Sequence, residues 1–395
     1  MSKHIAIKLK PVAEKIIKQG HPWVFADSIE KISDAGDAGD LCILFDRKTN
    51  RIYAIGLLDP TSPIRVKVIH WGGQRTIDKD FFKELIQKAY LHRQPLWQNN
   101  ITAYRLIFGE NDGFPGLILD VYNQVGVLKL YSTIWLSLLD MLVPLLAETA
   151  FLQTVVLRYN RQLSAMNLPW KEGAVLYGKL EQPEQVFQEY GVLLKTNILR
   201  GHKTGFFLDQ RENRRLIGKM SSGKTLLDVF SYIGGFSMHA LRGGARKVLS
   251  LDMSNQALEM AMTNARLNHL EGKYSTRAGD AFILLNELIQ EGKSFDIVVI
   301  DPPSFAKNEK ERISALKKYK TLTELGVKLT RPGGILFLSS CSSRIHAEEL
   351  AELHKQVFQK EHVTHRLIRQ TGHDIDHPIR FKEAVYLKSF YYRIG

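Results

Sequence analysis

Two residues in this chain have the type and the surroundings to make and break covalent bonds. Cys341 stands in the run Ser339-Ser340-Cys341-Ser342-Ser343-Arg344. A lone cysteine at a strand end is ordinarily a small buried hydrophobe. Here the neighbours are polar, and Arg344 could stabilise the thiolate, the nucleophilic form. Asp301 ends an apolar strand predicted over Phe295–Ile300 and is followed by Pro302 and Pro303. Two prolines remove amide donors and fix an extended loop, so the carboxylate and the carbonyls present a rigid hydrogen-bonding edge. That edge suits the amino group of a cytosine drawn out of its stack. Together the two residues suggest one reaction. Carbon 5 of a pyrimidine is too weak a nucleophile to take a methyl group, but a thiolate added to carbon 6 makes it an electron-rich enamine carbon.

The methyl donor is read from residues 225–252. The short apolar run at 226–230 is followed by the turn Ser231-Tyr232-Ile233-Gly234-Gly235, a helix from Phe236 to a cap at Gly243-Gly244, and a second strand ending in Asp252. Strand, glycine turn, helix and strand with a terminal acid form the first half of a nucleotide-binding doubly wound sheet. Asp252 lies 17 positions past Gly235, near the ~20 expected of a carboxylate that takes a ribose diol. The adjacent glycines do not make the spaced pyrophosphate fingerprint, and Asp228 would repel phosphate. S-adenosylmethionine, with a sulfonium, an ammonium and a ribose but no phosphate, fits better. Candidate cofactor contacts are Asp228, Ser231, Gly234, Gly235, Asp252 and Asp301. Asp280 could meet the adenine amino group or simply cap the helix after it. In the glycine-, charge- and aromatic-rich stretch 201–211, Thr204, a stacking Phe206 or Phe207, and Asp209 or Gln210 at the methionine end complete the set.

These residues need a scaffold, and the sequence supplies an alternation of strands and helices from 186 to 395. Asp228, Asp252, Asp280, Asp301 and Cys341 each close a predicted strand, and open α/β sheets bind ligands beyond those ends. Helices are expected from Ser254 to about Asn268 and over 281–290, 313–329 and 346–360. Strands at 362–370 and 384–393 bring the sheet to seven. Residues 1–73 read as a β module with strands at 5–9, 41–45 and 64–68 and a helix over Pro11–Lys18. Residues 74–185 read as an α/β connecting domain: helix 80–97, strands 104–108 and 117–121 around the turn GENDGFPG, strand 125–130, helix 136–147 and strand 154–158. Arg105, Glu110 and Asp112 in that turn region are open to a functional role, but turns recruit acids and glycine anyway, so the structural reading leads. Residues 161–185 are expected to form a surface loop and hairpin.

The formal net charge is +13, and it is unevenly placed: +3 over 1–73, zero over 74–185 and +10 over the remainder. Basic residues crowd 195–224 and 307–320, which suits a phosphate backbone. Lys203, Arg211 and Lys307, with Pro302, Pro303 and Phe305, are the candidate contacts to RNA and target base. The two cysteines, Cys42 and Cys341, are far apart, so neither a disulfide framework nor a metal site is expected. No apolar run approaches the ~20 residues of a membrane span and no signal peptide is evident, so a cytoplasmic protein without membrane contact is expected.

The first 73 residues resemble a PUA domain, an RNA-binding pseudo-barrel, through GHPWVF at 20–25 and SPIRV at 62–66. Over its whole length the chain resembles bacterial 23S ribosomal RNA cytosine-5 methyltransferases of the PUA-containing kind. The shared signatures are HPWVF (21–25), RLIFGENDGFPG (105–116), GHKTGFFLDQR (201–211), DVFSYIGGFS (228–237), DPPSF (301–305), SSCSS (339–343), DHP (376–378) and YLKSF (386–390). The resemblance implies a class I methyltransferase fold, a Rossmann-like seven-stranded doubly wound sheet, carrying the PUA-like module and the central α/β domain. It also implies S-adenosylmethionine as cofactor, ribosomal RNA as partner and Cys341 as nucleophile; a homodimer is a further possible assembly. Cytosine-5 enzymes often carry a second cysteine beside the motif ending the fourth strand; Ser304 and Phe305 stand there instead. A single cysteine is also how uracil-5 enzymes are built. Methylation of uracil or of an exocyclic nitrogen, and a non-catalytic RNA-binding assembly factor, are therefore the competing readings.

Overall fold

The computed structural model describes residues 3–306 and 308–395. The chain forms two compact units and passes between them more than once. The first holds the residues up to Gln185 together with Asn197–Phe206 and Ile375–Phe381; the second holds Val186–Thr196, Phe207–Asp374 and Lys382–Gly395.

The first unit carries two sheets. Strands β1 (His4–Leu9), β2 (Trp23–Phe25), β3 (Ile29–Ile32), β4 (Leu41–Phe45), β5 (Ile52–Leu58) and β6 (Ile64–Trp71) lie in the order β2-β6-β5-β4-β1-β3. β1 alternates buried and exposed residues, and Ile5, Ile7 and Leu9 meet Val24, Cys42, Leu44 and Val66 in the core. Helix α1 (Pro11–Lys18) starts on its proline, whose fixed φ suits a first helical position. Helix α2 (Lys79–Trp97) is capped by Asp78, which accepts from the Phe81 amide. The second sheet is built from β7 (Ala103–Phe108), β8 (Leu117–Tyr122), β9 (Val125–Leu130), β10 (Thr154–Tyr159) and β11 (Val175–Gly178), in the order β11-β10-β9-β8-β7. β11 corrects the expectation of a separate hairpin: it pairs antiparallel with β10, the strand just before it in sequence, and so edges the five-stranded sheet. Helix α3 (Leu139–Ala150) begins and ends about three residues later than the periodicity predicts. With the preceding turn it forms an 18-residue stretch, Thr133–Ala150, apolar enough to span a membrane by composition, but half buried inside the protein.

Buried charge ties the first unit together. Arg93, fully buried, grips Asp112 with two bonds of 2.9 and 2.5 Å. Arg105 grips Asp120 in the same way at 2.7 and 2.8 Å. Asp376, from the late segment, accepts the Arg105 amide at 3.0 Å and offers its own carbonyl to Arg93 at 3.2 Å.

The second unit opens with a hairpin, β12 (Glu184–Glu189) and β13 (Val192–Asn197), and helix α4 (Arg211–Met220). Its sheet follows: β14 (Thr225–Val229), α5 (Gly235–Arg242), β15 (Lys247–Asp252), α6 (Asn255–Leu267), β16 (Tyr274–Ala278), α7 (Ala281–Gln290), β17 (Phe295–Ile300), α8 (Arg312–Leu329), β18 (Thr330–Ser340), α9 (Ala347–Lys360), β19 (His365–Thr371) and β20 (Lys388–Ile394). The strand order is β16-β15-β14-β17-β18-β20-β19, parallel except for β20, which runs antiparallel to both neighbours. This is the seven-stranded class I methyltransferase sheet. The order reverses between β15 and β17, on either side of β14, and the loops at that switch point carry the candidate site. Leu227, Val229, Leu251, Val298, Ile300, Leu336 and Leu338 form the buried middle layer against α7, α8 and α9.

Candidate active site

The turn after β14 is wound more tightly than its glycines alone suggest. Phe230 and Tyr232 both have positive φ (64° and 49°), followed by Gly234 at 79°. Such φ values cost energy in non-glycine residues and persist where surrounding bonds hold them. Asp252 supplies one such bond. Its Oδ2 accepts from the Tyr232 amide at 2.8 Å and its Oδ1 from the Ser254 amide at 2.9 Å. Asp228 works from below: it is 1 % exposed and its Oδ2 accepts both the Ser237 amide (3.1 Å) and hydroxyl (2.6 Å) at the start of α5. Ser237 Oγ meets Ser250 Oγ at 2.7 Å, and Tyr274 donates to Ser250 at 2.8 Å. Burial, chiefly, pushes the Asp228 carboxyl up to about 7, with Asp301 and Asp252 adding like charge. Asp280 caps α7, its Oδ1 accepting from Phe282 and Ile283 at 2.9 and 3.2 Å. The side chain after Asp252, Met253, is 72 % exposed. It is an apolar surface beside the turn that the sequence reading passed over.

The residues present fit S-adenosylmethionine on structural grounds. Ser231 Oγ is buried in the turn with no hydrogen-bond partner among the described residues, a polar atom left over for a ligand. Asp252 sits half-buried at the strand end with its carboxylate held by backbone amides. Neither feature makes a phosphate cradle.

A second cluster surrounds Asp301. Its Oδ1 accepts from Gln210 Nε2 at 2.9 Å, and the same nitrogen reaches Ser339 Oγ at 2.9 Å. Gln210 Oε1 in turn accepts from Asn213 at 2.6 Å, and Ser389, Tyr391 and Thr371 hold Asn213 and Ser339. Gln210, expected at a methionine end, thus bridges Asp301, Ser339 and Asn213. Cys341, half-buried at the end of β18, brings Sγ within 3.9 Å of the Pro302 carbonyl. The nucleophile candidate and the proline edge, 39 residues apart in sequence, are therefore neighbours. Tyr319 on α8 closes the back, its hydroxyl 2.9 Å from Ser340 Oγ.

Several expectations need correction. Arg344 is exposed; the cation set into the strand beside Cys341 is Lys388, 5 % exposed on β20, where it pairs with Ser340. Sequence spacing gives no hint of Lys388, because antiparallel pairing brings it there. Arg211 is fully buried against Asp374 at 2.7 Å and does not face RNA. Its helix neighbour Arg214 is likewise buried, with two bonds to Glu189. The basic cluster at 195–224 is thus partly internal structure. Thr204 and Phe206 are buried in the first unit, where the Thr204 hydroxyl donates to Asp120 and the Phe206 amide to Tyr122. Lys203 also belongs to that unit, its carbonyl accepting from Lys129 at 3.1 Å. Of the two phenylalanines, Phe207 meets the turn, its ring edge-on to Tyr232 at 5.4 Å. Asp209 accepts from the Tyr386 hydroxyl at 2.8 Å. Pro303 is exposed and Phe305 half-buried, with the ammonium of Lys318 5.0 Å above its ring. Lys307 lies outside the described residues; Lys310, Lys317, Lys318 and Lys320 are exposed.

Comparison with known proteins agrees with this geometry. Residues 161–385 match the S-adenosylmethionine-dependent methyltransferase family, and residues 7–71 match the PUA-like domain family. The chain belongs to the S-adenosylmethionine-dependent methyltransferases. This methyltransferase is 38 % identical over 395 residues to a protein of Deinococcus radiodurans named ribosomal RNA large subunit methyltransferase, covering 98 % of this chain and 97 % of the relative. It is 34 % identical over 400 residues to the ribosomal RNA large subunit methyltransferase I of Aliivibrio fischeri strain MJ11, covering 99 % of each. Among solved structures, a methyltransferase complexed with SAH superposes with a TM-score of 0.84 at 21 % identity, covering 100 % of both chains. A second, described as S-adenosylmethionine-dependent and from Streptococcus mutans, gives 0.83 at 21 % identity, covering 98 % of this chain and 99 % of that one. These two likenesses concern the fold.

Proposed function

We propose that this methyltransferase modifies carbon 5 of a cytosine in large-subunit ribosomal RNA through a covalent adduct on Cys341. The observation that carries the reading is the juxtaposition of Cys341 Sγ with the Pro302 carbonyl. It sets a nucleophile beside an edge that offers acceptors and, at both prolines, no amide donor. Such an edge attracts the cytosine amino group and opposes the carbonyl that uracil carries at the same position. The names of the relatives support the RNA class, and work on ribosomal RNA would place the protein in the cytoplasm. In the cofactor pocket, Asp252 would hold the ribose diol, Ser231 the remaining polar edge, and Asp280 the adenine side. S-adenosylmethionine supplies the electrophilic methyl group that carbon 5 accepts.

Cys341 as thiolate adds to carbon 6, forming the S–C6 bond and moving the ring electron pair toward carbon 5. Asp301, when protonated, donates to N3 and takes up the charge that develops there. Gln210 fixes the carboxyl so that one oxygen stays committed to the protein. After methylation the carbon-5 proton leaves to a base, the S–C6 bond breaks and the thiolate is restored.

RNA containing 5-fluorocytidine tests the reading, since fluorine cannot leave as a proton and the adduct is trapped. A stable protein–RNA adduct is expected with the wild type and none with Cys341→Ala. An active enzyme that gives no adduct, or gives 5-methyluracil by mass spectrometry, would overturn the cytosine assignment.

A further inference from the structure

A lysine is set beside the proposed nucleophile in a way that leaves it one free valence. Lys388 is the register partner of Ser340, the residue before Cys341. Its Nζ donates to the carbonyl of Ser342, the residue after Cys341, and to that of Tyr386 at 3.0 Å. The amine is therefore held to the carbonyl just after the thiol and to that of Tyr386, two residues before the lysine itself. Two backbone carbonyls take two N–H bonds whether the group is an amine or an ammonium. The third position on nitrogen is then a lone pair in one state and an N–H in the other.

We propose that Lys388 is the proton partner of Cys341, taking the thiol proton and holding the resulting thiolate. The S–H bond breaks, an N–H bond forms, and a neutral pair becomes an ammonium–thiolate pair with no net change in charge. This rests on Cys341 being the nucleophile; Lys388 acts through it and is a positioning residue. Burial lowers the Lys388 ammonium to about 8, and the charge of Cys341 acts in the opposite direction. The other ionisable groups nearby do not replace it. Asp301 on the β17 loop is an acid and opposes the thiolate. Tyr319 on α8 has its hydroxyl pushed up by burial, with the charges of Cys341 and Asp301 adding to the shift. Lys318 on the same helix and Arg344 on the thiol's own loop are exposed.

The test is the pH dependence of Cys341 alkylation by iodoacetamide in the folded, full-length protein, read by mass spectrometry. Cys42 is fully buried with its thiol pushed up to about 12, so it stays silent. The wild-type midpoint should fall below the ~8.5 of a free thiol. Lys388→Met should raise it by a unit or more, slowing alkylation at pH 7 about tenfold, and Lys388→Arg should restore a low midpoint. A wild-type midpoint at or above ~8.5 overturns the proposal without any variant. So does a folded Lys388→Met protein whose midpoint is unchanged. A low midpoint in a wild type that forms no fluorocytidine adduct leaves the lysine–cysteine pair standing and removes the reaction assigned to it.

Discussion

Asp228→Asn isolates the carboxyl beneath the cofactor turn. Burial holds this group at about 7 in the folded protein against an ordinary 3.8. Between those values the folded state keeps a proton that the unfolded state has lost. Stability contributed by the group is therefore fully present below about pH 4 and falls as pH rises to about 7. Three units at 1.36 kcal/mol each give about 4 kcal/mol as an upper limit. The asparagine oxygen can still accept from the Ser237 amide and hydroxyl, so α5 keeps its anchor while the titration disappears. Urea unfolding of both proteins without cofactor, at pH 5, 6, 7 and 8, gives the difference curve in which all shared titrations cancel. The variant should gain on the wild type by about 2 to 3 kcal/mol between pH 5 and 8, most of it by pH 7. A flat difference would refute the reasoning, because the carboxyl would then ionise equally in both states. A positively charged cofactor favours the ionised carboxylate. S-adenosylmethionine should accordingly bind the wild type more tightly at pH 8 than at pH 6, and this gain should vanish in the variant.

Asp252→Ala removes the carboxylate proposed for the ribose diol and should weaken S-adenosylmethionine at least tenfold by calorimetry, ~1.4 kcal/mol or more; unchanged affinity would remove that assignment. Replacing exposed Lys310, Lys317, Lys318 and Lys320 with glutamine should weaken RNA binding and flatten its dependence on salt, each lost phosphate contact lowering the logarithmic slope by about 0.7 to 0.9. Arg211→Ala should instead lower the melting temperature, since it leaves Asp374 without its buried partner; a normal melting temperature with lost RNA affinity would reverse the reassignment of that arginine.

Local signals were readable wherever they decide structure locally. The proline at the start of α1, the Ser254 and Asp280 caps and the apolar run of β17 each locate an element within a residue or two. The acids at the strand ends could be found because the parallel order itself places strand ends together. What stayed hidden depends on partners distant in sequence. Arg211 and Arg214 look like surface cations until Asp374 and Glu189 are brought against them. Lys388 reaches the residues flanking Cys341, Ser340 by register and Ser342 by a hydrogen bond, only through the antiparallel pairing of β18 with β20. Phe230 and Tyr232 adopt backbone angles that their side chains disfavour, and nothing in their identity announces it.

The return of Ile375–Phe381 to the first unit bears on how the protein is made. Arg93 and Arg105 are translated early, yet Asp376, which accepts from both, leaves the ribosome about 200 residues after the body of that unit. At ~5–20 residues per second that is a wait of about 10 to 40 s. Through that interval the Arg105 amide and one Arg93 nitrogen lack their final acceptor, so the nascent unit should be looser than the finished one. Its last stabilising bonds arrive nearly together with Cys341 and Lys388. A chain stalled before residue 375 would then be left with neither a completed first unit nor the β18–β20 strand pair, which makes it a ready substrate for proteolysis.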